Sequence, residues 1–514
     1  MFPYRPEDRT LETSLPFICM NPAPLSGLYA PSLSLLTDLY QVTMAYGYWQ
    51  QGLQDREAVF HLYFRKAPFG GGYAVAAGLA YAVDLLENLR FSDDDLAYLG
   101  SLKSATGGAM FPQAFLDYLR DLKFTCDVDA VAEGTVVFGN EPLLRVQGPL
   151  LQAQLVETAL LTLVNFQTLI ATKASRIREA AGSDTVLEFG LRRAQGVDGG
   201  LSASRAAYLG GVDATSNVLA GQRFNIPVKG THAHSWVMAF EDEPTAFAAY
   251  ANAFPDDSVF LVDTYDTLEG VRHAISVARQ MRANGHELGG IRLDSGDLAY
   301  LSREARALLN EAGFENVRIV ASNDLEENLI TSLKLQGARI DTWGIGTQLV
   351  TAYDQPALGG VYKLAALRKP DDSGWDFTIK LSEQLAKTSI PGILQVRRYE
   401  SEKGQPRADM LYNVAEPLPE RLTIIDPLDA TRRRSVRPEA AYRELLEPIF
   451  RRGKLVHQLP TLEESRARAH REVLSLDPSI RRFLNPHVYP VGLEESLNTF
   501  RTNLILEKRP LRPA

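Results

Sequence analysis

Between Val186 and Thr347 the sequence repeats one pattern six times: an apolar run of strand length, a cluster of Gly, Ser, Thr, Asp or His, then a stretch of helical composition. The runs are VLEFGLRR from Val186, IPVKGTHAHS from Ile226, VFLVDTYD from Val259, IRLDSGD from Ile291, VRIVASND from Val317 and IDTWGIGT from Ile340. The last three begin 26 and 23 residues apart, room for a strand, a loop and a crossover helix. Near-continuous apolar strands separated by helices pack as a parallel sheet covered on both faces. The pattern restricts this part of the chain to an α/β fold. Six units closing on themselves predict an irregular, incomplete α/β barrel, with an open doubly wound sheet as the alternative. Either way the polar clusters fall at C-terminal strand ends, where such folds build their sites.

The flanks differ. With 514 residues the chain exceeds what one core supports. Residues 1–33 hold several prolines and read as an irregular arm. Residues 34–155 read as an α+β domain: a helix capped by Thr37-Asp38, a strand over AVFHLYFR (58–65), a turn at Pro68–Gly72, an Ala-rich helix over 74–90, helices over 93–124 and short strands over 126–150. A long helix from Val156 opens the barrel-like unit, 156–357. Short strands return over 358–425 (GGVYKLAAL, DFTIKLS, ILQVRRY), expected to complete the first domain's β-layer. Residues 426–514 are charged and predicted mostly helical, with RRRSVRPEAAYREL and SRARAHREVL as solvated helices.

The net charge of −9 gives no general attraction to nucleic acid or an anionic membrane, so any anion site must be local. The two cysteines, Cys19 and Cys126, have no metal-ligand spacing, which fits a reducing cytoplasm. The longest apolar run, 74–83, is too short to span a bilayer, and the polar N-terminus does not read as a signal peptide.

The strand ends carry the chemistry. Phe189, Arg192 and Arg193 follow the first run; Thr231, His232 and His234 the second; Asp263 and Asp266 the third; Arg292, Asp294, Ser295 and Asp297 the fourth; Ser322, Asn323 and Asp324 the fifth; Gly344, Gly346 and Thr347 the sixth. Any single Asp here is more often a helix cap than a functional group. Together, arginines for bidentate anion binding, a Gly-x-Gly-Thr loop for phosphate, carboxylates near Asp294 and Asp297 for sugar hydroxyls or Mg²⁺ and a histidine describe a site for a small polyanion. A rival reads His232 and His234 as a metal pair of a barrel hydrolase. It lacks further histidines after later strands.

The pieces LLTDLYQVTMAYGYW (35–49), PFGGGYAVAAGL (68–79), EFGLRRAQGVDGGLSASRAAYLGGVDATSNVLAG (188–221), GTHAHS (230–235), IRLDSGDL, ASND, GIGTQLVT and QPALGGVYKL resemble the nicotinate phosphoribosyltransferase family. The resemblance runs from about residue 34 to 395. It implies a type II phosphoribosyltransferase fold, a homodimer, and transfer of phosphoribose from 5-phosphoribosyl 1-diphosphate to nicotinate with Mg²⁺ and ATP hydrolysis, in NAD salvage. By the resemblance His234 is phosphorylated by ATP, and Thr231, Arg292 and Tyr40 contact nicotinate, Tyr40 from the neighbouring subunit. Phe189 stacks on the ring and Arg192 binds an anion. Gly344, Gly346 and Thr347 hold the 5-phosphate, Asp294 contacts ribose, and Ser295 lies beside it. A nicotinamide-specific transferase and a protein that binds the sugar diphosphate without turnover are the alternatives.

Overall fold

The computed structural model describes residues 32–369, 373–384, 387–437 and 439–509. The arm expected over 1–33 and Cys19 lie outside them, Ser32 and Leu33 excepted. No helix among the described residues is long and apolar enough to cross a membrane.

Five of the six runs supply strands of a six-stranded sheet. Its strands are β1 (Thr185–Glu188), β2 (Ala214–Thr215), β3 (Val259–Leu261), β4 (Gly290–Leu293), β5 (Arg318–Ala321) and β6 (Thr342–Ile345), in the order β2-β1-β6-β5-β4-β3. Every neighbouring pair is parallel. Val186, Phe260, Ile291, Ile319, Trp343 and Ile345 are wholly buried, as two-sided packing requires. The helices around it include α1 (Glu157–Ala181), α2 (Gly196–Leu209), α3 (Thr267–Ala283), α4 (Leu298–Glu311) and α5 (Glu327–Leu335).

The run from Ile226 is not a strand. β2 is Ala214–Thr215 instead, and Val228 makes one isolated parallel bridge to Thr215. Pro227 has no N–H to extend a ladder; only the Pro227 carbonyl and the Lys229 N–H bond Thr215, at 3.0 Å each. No ladder joins the edge strands β2 and β3 among the described residues, so the barrel expected from the sequence is met as a parallel sheet with helices. The segment 226–232 runs from one edge to the other. At its far end His232 Nε2 accepts the Leu261 N–H of β3 at 3.2 Å.

That bond requires a neutral imidazole. Burial first, then the Arg292 and His234 charges, lower the His232 pKa to about 4 against a raising hydrogen bond to Ala233. His61 repeats the device in the N-terminal sheet: its Nε2 accepts the Leu394 N–H at 3.2 Å, and burial, then Arg145, lower its pKa to about 3. Both folded values lie below the unfolded value near 6.5. The unfolded chain therefore takes up protons that the folded chain refuses, and stability is full above pH 6.5 and falls as pH drops toward 4. For the fully buried His61 the slope is about 1.4 kcal/mol per pH unit, with a smaller share from His232. Denaturation titrations from pH 7 to 4.5 should show this loss, and His61→Gln, which keeps an acceptor, should flatten it. An unchanged slope in that variant would refute the assignment.

A seven-stranded antiparallel sheet forms the N-terminal domain, in the order 375–377, 361–368, 57–63, 142–149, 127–131, 446–451, 454–455. The strands 361–368 and 375–377 thus join it as expected, whereas 394–400, 406–413 and 422–425 do not. They form a third sheet with 433–436, 442–444 and 491–494. The helix predicted over RRRSVRPEAAYREL is corrected: it contains the strands Arg433–Val436 and Tyr442–Glu444. A proline in the sequence of this stretch disfavours a continuous helix, and cross-strand acids take up the arginine charges, Arg443 to Glu400 at 2.9 Å and Arg397 to Glu444 at 2.6 Å. SRARAHREVL does lie in a helix, Leu462–Ser475, started by a Thr461–Glu464 capping box. The Ala-rich helix begins only at Leu79, because Ala74–Val75 pair as a strand and Gly78 has φ +97°. A Cβ at Gly78 would meet the Leu163 carbonyl at 2.6 Å.

Candidate active site

Arg292, on β4, is the hub. Its Nε donates to Ser322 Oγ at 2.8 Å, one terminal nitrogen to Thr231 Oγ1 at 2.9 Å and the other to Asp294 Oδ1 at 2.9 Å. It thereby ties together the ends of β4 and β5 and the GTHAHS loop, residues 61 positions apart in the Arg292–Thr231 case. The guanidinium carbon lies 5.6 Å from the centre of the Phe189 ring at the end of β1. Phe189 in turn rests on Gly344 of β6, where a Cβ would come within 2.8 Å of the ring. Its N–H donates to the Ile345 carbonyl at 2.7 Å. Gly190 lies against Gly346: a Cβ on Gly190 would be 3.0 Å from the Gly346 carbonyl oxygen. Thr347 follows, half-buried, at the start of the short helix Thr347–Val350.

His234 opens the short helix His234–Val237. Its Nδ1 is 3.2 Å from Thr264 Oγ1, and its Nε2 is 3.8 Å from Asp294 Oδ2. Asp294 is half-buried, which works against its charge. The Ser322 hydroxyl, then Arg292, then His234 outweigh that and hold its carboxyl below the ordinary range. Asp263 lies behind it: Oδ2 accepts the Asp294 N–H at 2.9 Å and the Ser295 hydroxyl at 2.7 Å, while Oδ1 is buried with no hydrogen-bond partner.

An unbroken set of contacts therefore runs from His234 through Asp294, Arg292 and Phe189 to Gly344. Other predicted residues stand apart. Arg192 and Arg193 are exposed, and neither makes an ion pair or side-chain hydrogen bond among the described residues. Tyr40 is 48% exposed on the helix Leu39–Gln50 and lines a shallow pocket with Thr158 and Pro356–Gly359. Asp297 caps α4 by accepting the Tyr300 N–H at 3.0 Å, and Asp266 caps α3. Asp263 and Asp324 cap nothing; Glu326 caps α5. Consecutive left-handed residues, Asn323 (φ +93°) and Asp324 (φ +23°), turn the chain away from β5 beside Ser322, backbone strain of the kind that collects at functional sites.

The metal-pair reading of His232 and His234 gains no support from the geometry. The His232 Nε2 is taken up by β3, the His234 ring faces Thr264 and Asp294, and no group of three or more His, Cys, Asp or Glu among the described residues is placed to hold a metal. Two positions that contact or brace these residues escaped the sequence reading. Thr264 was only one more polar residue in VFLVDTYD. Glu188 was only part of a motif, yet it is wholly buried and accepts from the Gly190 N–H, the Ser204 hydroxyl at 2.9 Å and the Thr215 hydroxyl. It fixes the turn that presents Phe189 and joins β1 to β2.

Three family models match the chain: the nicotinate phosphoribosyltransferase N-terminal domain over residues 35–165, the nicotinate phosphoribosyltransferase family over 185–372 and the nicotinate phosphoribosyltransferase C-terminal domain over 394–501. The nicotinate phosphoribosyltransferase of Bacillus subtilis is 47% identical over 473 residues, covering 91% of this chain and 94% of that one. The human nicotinate phosphoribosyltransferase is 38% identical over 539 residues, covering 94% and 98%. The crystal structure of human nicotinic acid phosphoribosyltransferase superposes with a TM-score of 0.79 at 36% identity, covering 91% of this chain and 100% of that one.

Proposed function

The chain belongs to the nicotinate phosphoribosyltransferase family, and on that premise we propose that it couples ATP hydrolysis, through a phosphohistidine at His234, to phosphoribosylation of nicotinate. The enzyme is a phosphoribosyltransferase of NAD salvage. The pyridine nitrogen attacks C1 of 5-phosphoribosyl 1-diphosphate, the C1–N bond forms as the C1–O bond breaks, and diphosphate leaves. The lone pair is already present, so no general base is needed, and the protein's task is positioning and charge stabilisation.

The observation that supports this reading best is the Arg292 fork. Arginine has five N–H donors; Ser322, Thr231 and Asp294 take three. One N–H on each terminal nitrogen is left for a carboxylate, beside the Phe189 ring that would stack on the pyridine. An amide-selective pocket would instead need an acceptor for NH₂, and Asp294 Oδ1 is already occupied by Arg292 and Ser322. Gly344, Gly346 and Thr347 would take the 5-phosphate, Asp294 and Ser295 the ribose end, Arg192 an anionic group, and Tyr40 would reach a partner subunit's site in a homodimer.

At His234, Thr264 engages Nδ1, so Nε2 is the nitrogen to form the N–P bond as the γ-phosphoryl group leaves ADP; water later releases phosphate. The orphaned Oδ1 of Asp263, with Asp294, suits Mg²⁺, which is typically held by one or two carboxylates together with substrate phosphates. When bound, Mg²⁺ would neutralise charge on the departing diphosphate.

The test is product analysis with nicotinate or nicotinamide, the sugar diphosphate, Mg²⁺ and γ-labelled ATP. Nicotinate mononucleotide, ADP and phosphate are expected, with an acid-labile label on the protein. His234→Ala should lose the label and all ATP stimulation while keeping a slow ATP-independent transfer. Full coupling in that variant would remove His234 from the role, and preference for nicotinamide would overturn the reading of Arg292.

A further inference from the structure

A cavity of about 1080 Å³ lies away from the strand ends of the parallel sheet, between loops of the N-terminal domain (65–72 and 138–140) and the C-terminal mixed sheet. Its wall is basic although the chain carries a net charge of −9. Lys66 follows the strand 57–63, Arg432, Arg433 and Arg434 lie on one hairpin, and Arg482 follows the short helix Pro478–Arg481. Arg432 is paired with Asp429 at 3.2 Å and Arg433 with Glu495 at 2.7 Å. Lys66, Arg434 and Arg482 are exposed to the cavity and make no ion pair or side-chain hydrogen bond among the described residues. Asp426 is also on the wall, with Oδ1 engaged by the Leu428 N–H. One side is bare backbone, Gly70–Gly72; a Cβ on Gly72 would run into the Ile480 carbonyl at 2.4 Å.

Three cations from three distant segments, each without a carboxylate, meet across one cavity. Asp426 is the one carboxylate on the wall against these cations, and a cleft in which one sign of charge predominates concentrates ions of the other. The volume suits a ligand of nucleotide size, and guanidinium forks suit phosphate. We infer that this cavity binds a small molecule with two or more phosphate groups, at a position separate from the strand-end site.

The experiment is calorimetric titration of the full chain with inorganic tripolyphosphate, and separately with ATP, at two salt concentrations. Salt-sensitive binding is expected that weakens about tenfold or more in the double variant Arg434→Gln, Arg482→Gln. That variant should keep parental kcat and KM in nicotinate-dependent diphosphate release. Arg292→Leu should show the reverse: transfer lost, this binding kept. Tighter binding of ATP than of tripolyphosphate would assign a nucleotide; equal binding would assign the phosphate chain alone. The inference is overturned if the double variant binds tripolyphosphate as the parent does. It is also overturned if that variant raises KM for the sugar diphosphate, which would make the cavity part of the reaction site.

Discussion

Arg292→Leu is expected to reduce kcat/KM for nicotinate by about 10³-fold, equivalent to about 4 kcal/mol of transition-state stabilisation. Two losses add. The substrate carboxylate loses a charge-assisted partner, a contribution of about 1.5–3 kcal/mol. The internal frame also loosens, since Thr231, Ser322 and Asp294 are held through this one side chain. Asp294, no longer held by the guanidinium, loses one of the groups that keep it ionised and should titrate at higher pH. Arg292→Lys should recover little, because an ammonium cannot reach three acceptors in one plane and still present a fork. Steady-state kinetics with nicotinate and nicotinamide decide it. A variant losing activity equally toward both substrates, with unchanged preference, would show that Arg292 serves the frame and not the carboxylate.

Arg398→Met is expected to cost about 3–5 kcal/mol of stability. Arg398 is wholly buried in the strand Leu394–Glu400. It donates to Asp409 through Nε at 3.0 Å and Nη2 at 2.6 Å, to the Val136 carbonyl at 2.8 Å and to Glu472 at 3.3 Å. It joins the C-terminal sheet to the N-terminal domain and to the helix Leu462–Ser475. Glu141 lies 3.9 Å away; burial, then the Asp409 charge, raise its pKa well above the carboxylate range, so it keeps its proton. The substitution leaves the buried Asp409 without a cation, with the Tyr489 hydroxyl at 2.8 Å and the protonated Glu141 as its hydrogen-bond partners. Adding Asp409→Leu should restore much of the loss, because an apolar pair avoids the unpaired buried charge. Urea titration measures both. A loss below about 1 kcal/mol in the single variant would mean that water reaches Asp409.

Much of the site was legible because its chemistry sits at strand ends, and strand ends are marked by a local change from apolar to polar residues. Arg292, Asp294, Phe189, Gly344 and His234 were all named from position and residue type, and their contacts now link them. Which Asp was free was not legible. Asp297 and Asp263 both follow apolar runs, yet Asp297 caps a helix and Asp263 keeps a buried, unpartnered oxygen, a difference set by neighbours on other strands. The same holds for His232: its acceptor role depends on the Leu261 N–H, 29 residues away.

By itself the sequence determined the rhythm of strand and helix between Val186 and Thr347, and with it the parallel sheet, because apolar run length and spacing are properties of neighbours in the chain. Tertiary structure alone decided that Ile226–Val228 would bridge an edge without becoming a strand and that Arg433–Val436 would pair with Leu422–Ile425 instead of coiling. A helix closes its hydrogen bonds within four residues, so its signal is local. A strand borrows its partner from elsewhere, and here the third sheet draws strand 491–494 between 422–425 and 406–413, a pairing no local window contains.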